Sequence, residues 1–254
     1  MKVLIIDAGN TYLKASIYDE NQREITNDEI KIKNLSSSFF SKLIKGTKMD
    51  YCFIGTVVPS YNKQLSKILE KDFNVKPVFL KNKQFNKVFD LKKFDLHEMG
   101  IDILAFSYFL QQSYKKALGI CCGTLMFAVA VDHKNLLGVI ISPYVEEGIK
   151  NLPDRAELIT HKSKIRVNSS FTQFGVNTND ALTSGVNNIY GGFCSNLVLN
   201  YENKGFKILC ITGGNNEKIG LHQSLKKHCK EYRVKNAVLE GYKLFVFNNL
   251  IKKK

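Results

Sequence analysis

The sequence predicts an α/β protein of two lobes, each a mixed β-sheet flanked by helices. Three observations predict it. The chain opens with a short apolar run, Lys2-Val3-Leu4-Ile5-Ile6, a turn, Asp7-Ala8-Gly9-Asn10-Thr11, and an alternating run, Tyr12-Leu13-Lys14-Ala15-Ser16-Ile17-Tyr18. A Gly-Asn pair between two strand-like runs signals an antiparallel hairpin. Residues 1–80 then read β-β-β-α-β-α-β, and a similar order returns after residue 116 with little sequence identity between the halves. The lobes are therefore expected at 1–116 and 117–254.

After the hairpin a third strand is expected over 23–33, then a helix over 36–45 with Ser36 as N-cap and Gly46 as stop. Tyr51-Cys52-Phe53-Ile54-Gly55-Thr56-Val57 reads as a buried strand ending in Val58-Pro59-Ser60. Ser60 is placed to cap a helix over 61–72, whose Leu65, Ile68 and Leu69 share one face, and a strand follows at 77–80. Right-handed crossovers make these later strands parallel, which is the ribonuclease-H-like arrangement. Residues 81–99 are irregular and lysine-rich and read as a loop that can cover a site. Gly100 breaks into a helix over 101–116 with Asp102 in its first turn. In the second half, strands are expected over 118–122, 125–131 and 136–142, with the tight turn Gly123-Thr124 between the first two. Helices over 145–160 and 178–201, a strand over 207–212, the glycine turn Gly213-Gly214, a helix over 217–229, and a late strand and closing helix within 237–251 complete it. Two ribonuclease-H-like lobes with a cleft between them make a fold of actin and sugar-kinase type.

The 254 residues are 44% hydrophobic, enough for a sizeable core. No apolar run reaches the ~18 residues that a membrane helix requires, and the start of the chain carries no signal-peptide pattern. The six cysteines, Cys52, Cys121, Cys122, Cys194, Cys210 and Cys229, are dispersed with no C-x-x-C pair. They are expected as reduced core residues of a cytoplasmic protein. A net charge of +14 brings a nucleic-acid partner into view. Only Arg23, Arg155, Arg166 and Arg233 among 37 basic residues are arginine, the residue that carries most base readout, and the lysines are scattered apart from the tail Lys252-Lys253-Lys254. Nucleic acid and membrane are therefore not the expected partners.

Asp7 follows a buried strand, where a lone carboxylate is costly unless compensated. A Mg²⁺ ion with its waters compensates it, and Gly9, Asn10 and Thr11 offer backbone, amide and hydroxyl donors to phosphate oxygens. A plain hairpin explains the same residues. Asp102 in a first helical turn is favourable with the helix dipole and by itself requires no function. Thr178 reads as an N-cap, and Gly213-Gly214 as a strand-to-helix turn. His222, His228 and Cys229 follow no zinc spacing and read as surface and core residues.

Taken in order, the motifs resemble those of the bacterial type III pantothenate kinases, nearly over the full length. Asp7-Ala8-Gly9-Asn10-Thr11 resembles the first phosphate motif, Thr56-Val57-Val58-Pro59 the S-V-V-P segment, Gly100-Ile101-Asp102 the start of G-x-D-R, and Gly123-Thr124 the end of D-x-G-T. Gly138 with Pro143 resembles G-G-x-I-x-P-G, and Arg155-Ala156 with Leu158 the R-A-x-L helix. Asn177-Thr178 with Ala181, Ser184, Gly185, Gly191 and Gly192 resembles the N-T-x-x-A-x-x-S-G helix, whose small residues Gly185, Gly191 and Gly192 permit close approach of another element, Thr212-Gly213-Gly214 the adenosine-side turn, and Leu239-Glu240-Gly241 the end motif. The resemblance implies an actin-like kinase that phosphorylates pantothenate with ATP and Mg²⁺ at the start of coenzyme A synthesis, with a monovalent cation (K⁺ or NH₄⁺) as an optional further ion. It implies Asp7, Gly9, Asn10, Thr11, Gly123, Thr124, Gly213 and Gly214 around the nucleotide, with Asp7 on the metal. Asp102 becomes the general base, with Gly100, Asp102 and Thr178 at the acceptor and Thr178 reaching it across a homodimer interface.

The chain departs from that pattern in the second phosphate motif. Cys121 stands where the family has aspartate, and a thiol, mostly neutral at pH 7, is a poor ligand for a hard cation. Ile103 stands in place of the arginine of G-x-D-R, Leu125-Met126-Phe127 in place of hydroxyl residues, Tyr144 in place of a glycine, and Phe94-Asp95-Leu96-His97 in place of Y-x-N-P. Two readings follow. One is a divergent kinase with a weaker second loop, with pantothenate or another small hydroxyl compound as acceptor. The other is a catalytically impaired kinase-fold protein with a binding or regulatory role, such as the name of the related Bvg accessory factors suggests.

Overall fold

A computed structural model describes residues 1–143 and 174–251. The chain divides into two compact units, one of residues 1–112, 134–136 and 237–254, the other of 113–133 and 137–236.

In the first unit β1 (Lys2–Ala8) lies at the centre of a five-stranded sheet. It runs antiparallel to β2 (Tyr12–Asp19), which pairs antiparallel with β3 (Glu24–Lys31). On its other edge β1 pairs parallel with β4 (Tyr51–Thr56), and β4 pairs parallel with β5 (Pro77–Phe79), giving the order β3-β2-β1-β4-β5. Parallel neighbours need long crossovers, supplied by α1 (Ser37–Ile44) and α2 (Asn62–Phe73). Leu4, Ile6 and Ala8 of β1 join Phe39, Phe40 and Leu43 of α1 and Leu65 and Leu69 of α2 in one core. Val3 and Ile5, on the opposite face of β1, are also fully buried. Burial on both faces is why this strand reads as an unbroken apolar run.

α3 (Ile101–Tyr114) is buried at Ile101 and at every position from Ile103 to Leu110, as its all-round apolar sequence dictates. In the second unit β6 (Lys116–Cys122), β7 (Leu125–Asp132) and β8 (Asn135–Pro143) follow one another, with β6 and β7 antiparallel. α4 (Thr178–Glu202) lays Val186, Tyr190, Cys194 and Leu197 on Leu118, Ile120 and Met126. β9 (Ile208–Thr212) pairs parallel with β6, and β10 (Lys230–Val234) parallel with β9. The order β10-β9-β6-β7-β8 has the same plan as the first sheet. All six cysteines are buried free thiols. The closing helix α5 (Ala237–Asn249) belongs to the first unit and packs on β1.

Several expectations are corrected. The helix expected over 217–229 is absent: two short 3₁₀ turns, Asn216–Lys218 and Gln223–Leu225, occupy that stretch. Its apolar Leu221 and Cys229 are buried, but the Leu221 N–H is taken by the Glu231 carboxylate at 2.8 Å instead of a helical carbonyl. The late strand lies at 230–234, before residue 237, because β9 offers it a parallel edge. α4 is capped by Asn177, whose side chain accepts from the Asp180 N–H at 3.0 Å, so Thr178 is its first helical residue and not the N-cap. Ser60 sits inside a 3₁₀ turn, Pro59–Tyr61, and does not cap α2. Residues 81–99 are irregular apart from the 3₁₀ turn Asn82–Lys87, and they are anchored: Phe85 stacks on Phe245 with centroids 4.0 Å apart, and the Asn82 amide donates to the Leu96 and Met99 carbonyls. The helix expected over 145–160, with Tyr144, Arg155, Ala156 and Leu158, lies outside the described residues.

α5 approaches α3 at backbone contact. A Cβ at Gly241 would lie 1.9 Å from the Ala105 carbonyl oxygen, so no side chain fits without parting the helices. Gly241→Ala is expected to destabilise the protein by about 1–3 kcal/mol, the usual range for overpacking, read as a lower denaturant midpoint. An unchanged midpoint would refute the close contact.

Candidate active site

The first hairpin is closed by a hydrogen bond from the Gly9 N–H to the Tyr12 carbonyl at 3.0 Å, with Asn10 and Thr11 exposed at its tip. Gly9 serves space: a Cβ there would meet the Tyr12 oxygen at 3.2 Å. Beyond β4 the Val57 N–H donates to the Ala8 carbonyl at 3.1 Å, which ties Thr56-Val57-Val58-Pro59 to the hairpin. Lys14, Asp7 and Gly55 are aligned neighbours across β2, β1 and β4, so Asp7 and Lys14 share a face of the sheet. On that face Gly55 has no side chain, and a Cβ there would lie 2.0 Å from the Tyr242 ring. The Tyr242 hydroxyl is buried and has no hydrogen-bond partner.

Asp102 stands at the start of α3, where its Oδ1 accepts from the Ile103 N–H at 2.9 Å. A Cβ at Gly100 would come within 2.4 Å of that same oxygen, so the glycine leaves the carboxylate its place. Ile103 is buried, and apolar packing fills the position where the family pattern has a cation. Burial, then the charge of Asp102, pushes the Asp7 carboxyl up to about 7, while Lys14 opposes the rise. Burial raises Asp102 as well, against the backbone N–H groups it accepts from. Tyr242 is held well above its usual value by burial and by both carboxylates. The structure thus brings Asp7 and Asp102 together with a phenol that the sequence reading did not single out. Its only signal was a hydroxyl-bearing ring directly after Leu239-Glu240-Gly241.

In the second unit the Gly123 N–H donates to the Leu125 carbonyl at 3.1 Å, and Gly123 and Thr124 are exposed at the hairpin tip. Cys121 pairs with Phe127 and Thr212, the place in this sheet that Asp7 holds between Lys14 and Gly55 in the first. Gly213 has φ +99°, and a Cβ there would lie 2.3 Å from the Cys122 carbonyl oxygen, so the Gly213-Gly214 turn rests on the backbone of the second hairpin. Thr178 is exposed. His222 caps its own turn by accepting from the Ser224 N–H, and His228 pairs with Glu202 at 2.8 Å.

Two sheets of this strand order, each opened by a tight hairpin, define a protein of the actin-like and sugar-kinase ATPase fold. Solved structures share it. One is a protein described as a candidate Baf family transcriptional activator from Campylobacter jejuni (18% identity, 97% of this chain and 98% of that one, TM-score 0.57). Another is the activator of 2-hydroxyisocaproyl-CoA dehydratase from Clostridium difficile with bound ADPNP (10% identity, 100% and 99%, TM-score 0.54). Within that class, a model of the type III pantothenate kinase family matches residues 3–200, and a type III pantothenate kinase of Malacoplasma penetrans is 30% identical over 97% of each chain. The chain belongs to the type III pantothenate kinase family.

The first unit fits a divalent ion. The Asp7 and Asp102 carboxyl groups, the second raising the first, are hard oxygen donors of the kind a divalent ion takes. The buried thiol of Cys121 offers the second unit no such donor.

The raised acid has a consequence for stability. Asp7 is protonated in the ligand-free fold up to about pH 7, whereas the unfolded chain releases that proton near the ordinary aspartate value of 3.8. The folded state therefore binds more protons in between, so the stabilisation is complete below pH 3.8 and is lost as pH rises towards 7. Ligand-free protein is expected to melt progressively lower across that window, and Asp7→Asn, which cannot ionise, to flatten the slope. Identical slopes in the two proteins would refute the raised acid.

Proposed function

We propose that this chain transfers the γ-phosphoryl group of ATP to pantothenate, the first step of coenzyme A biosynthesis, in the cytoplasm. The observation that carries the reading is the meeting of Asp7 and Asp102 in one pocket of the first unit, in a chain of this family.

The roles follow from the chemistry of each group. Gly9, Asn10 and Thr11 at the first hairpin tip, and Gly123 and Thr124 at the second, bind phosphate oxygens through N–H and hydroxyl donors. Gly214, with nothing within 4 Å of a Cβ, leaves room for adenosine, and Gly213 shapes the turn that presents it. Asp7 holds the divalent ion; Mg²⁺, when bound, neutralises charge on the transferring phosphoryl group. Asp102, fixed through Oδ1, accepts the proton of the acceptor hydroxyl as that oxygen bonds to phosphorus and ADP departs. Such transfers have loose transition states, so orienting the hydroxyl matters more than basicity. Gly100 keeps Asp102 in place. A monovalent cation, K⁺ or NH₄⁺, is an optional further ion.

The homodimer and the reach of Thr178 to the acceptor across its interface are part of the same proposal. α4 supports it: Gly185 and Gly192 have nothing within 4 Å of a Cβ, and Ile189 and Leu199 between and beyond them are 54% and 53% exposed. A spacing of 185, 189, 192 and 199 places these residues on one stripe, suited to close helix approach.

Two measurements test this. Purified protein with ATP, Mg²⁺ and pantothenate is expected to form the phosphorylated product, and Asp7→Asn to lose about 100-fold or more of that rate with its fold retained by circular dichroism. Full activity in the variant would remove Asp7 from the chemistry. Light scattering at micromolar concentration is expected to give about twice 28.9 kDa. A monomer would remove both the dimer and the role of Thr178.

A further inference from the structure

The Tyr242 hydroxyl is buried without a hydrogen-bond partner, as are the Ser16 and Ser107 hydroxyls of the same unit, but it alone stands over the register partner of Asp7. Buried polar groups are nearly always hydrogen-bonded, and one that is not calls for an explanation. Its surroundings are built with care. Gly55, the register partner of Asp7, gives up its side-chain volume to the Tyr242 ring. Gly241, one residue earlier, lets α5 sit on the Ala105 carbonyl, one helical turn along α3 from Asp102. Asn248 and Asn249 donate to the Tyr108 hydroxyl at 3.2 and 3.3 Å, and Phe245 stacks on Phe85, so α5 cannot slide. The result is a rigid ring whose hydroxyl is carried to the Asp7 face of the sheet and left without a partner.

We propose that Tyr242 is a positioning residue for Asp7: when nucleotide and divalent ion load, its hydroxyl donates a hydrogen bond to the Asp7 carboxylate and fixes which oxygen that group turns to the ion. The proposal rests on the reading of Asp7 as the metal-holding carboxylate. A phenol suits the task because its neutral O–H can donate to a carboxylate oxygen. Outer partners of this kind orient metal ligands, and losing one typically costs 10–100-fold in metal affinity. A second carboxylate would add charge, and a lysine would compete with the ion; a neutral donor does neither.

The test is Tyr242→Phe, which keeps the ring in the Gly55 hollow and removes one oxygen. ADP binding is measured by calorimetry with and without Mg²⁺, beside thermal melting and steady-state kinetics. The variant is expected to melt no lower than wild type when free, since an unpaired buried hydroxyl stabilises nothing. Its Mg²⁺-dependent ADP affinity is expected to fall about 10–100-fold, with metal-free ADP affinity unchanged and the Mg²⁺ requirement of turnover shifted upward by a similar factor. Mg²⁺-dependent affinity within twofold of wild type would overturn the proposal. A wild type that binds Mg²⁺–ADP but phosphorylates no pantothenate would overturn the function and leave Tyr242 its role, and a wild type blind to Mg²⁺–ADP would overturn both.

Discussion

A carboxylate placed at the end of a strand buried on both faces is the constraint around which the first unit is arranged. β1 carries Leu4, Ile6 and Ala8 into one core and Val3 and Ile5 into the other. Period-two alternation then turns Asp7 to the same side as Val3 and Ile5. What surrounds it answers that placement. Lys14 opposes it from β2, Gly55 opens space beside it on β4, Asp102 arrives at the head of α3, and the Tyr242 ring closes the space. The hairpin beyond it needs donors at its tip and a glycine at its base, and Asn10, Thr11 and Gly9 supply them.

Most of this frame was legible in the sequence, because strands buried on both faces and tight hairpins leave strong local marks. Lys2 to Ile6 could hardly be anything else, and Gly123-Thr124 between two apolar runs marks the second hairpin as plainly. What escaped was set by tertiary contacts. Leu221, Leu225 and Cys229 recur at helical spacing, yet Glu231 claims a backbone donor there and the chain turns instead. Lys230-Glu231-Tyr232-Arg233-Val234 looks polar for a strand, and it is one only because β9 offers an edge. In the pocket, Asp7 and Asp102 announce themselves as acids in unusual places. Tyr242 does not, since its meaning depends on a missing side chain at Gly55, far away in sequence.

The two hairpins share a strand plan and differ in electrical character. In the first sheet the sixth residue of the opening strand is an acid between Lys14 and Gly55; in the second it is Cys121, 8% exposed, between Phe127 and Thr212. At this position only the first sheet can carry a negative charge. The second hairpin keeps its glycine and its threonine and is braced from below by the Gly213 turn, so it retains shape while shedding charge. At the two hairpins, then, the first offers a carboxylate at this position and the second a thiol.

The closing helix gives the chain an unusual schedule during synthesis. Domains generally fold as units in the order in which they leave the ribosome. Here β1 and α3 emerge early, but α5, which covers the odd-numbered face of β1 and carries Gly241 and Tyr242, emerges after every described element of the second unit. Until then Val3 and Ile5 have an open apolar flank and Asp7 lacks its neighbour. The nascent protein therefore lacks the Tyr242 side of the pocket until the end of synthesis, and damage to this helix, from a frameshift or a premature stop, reaches the first strand.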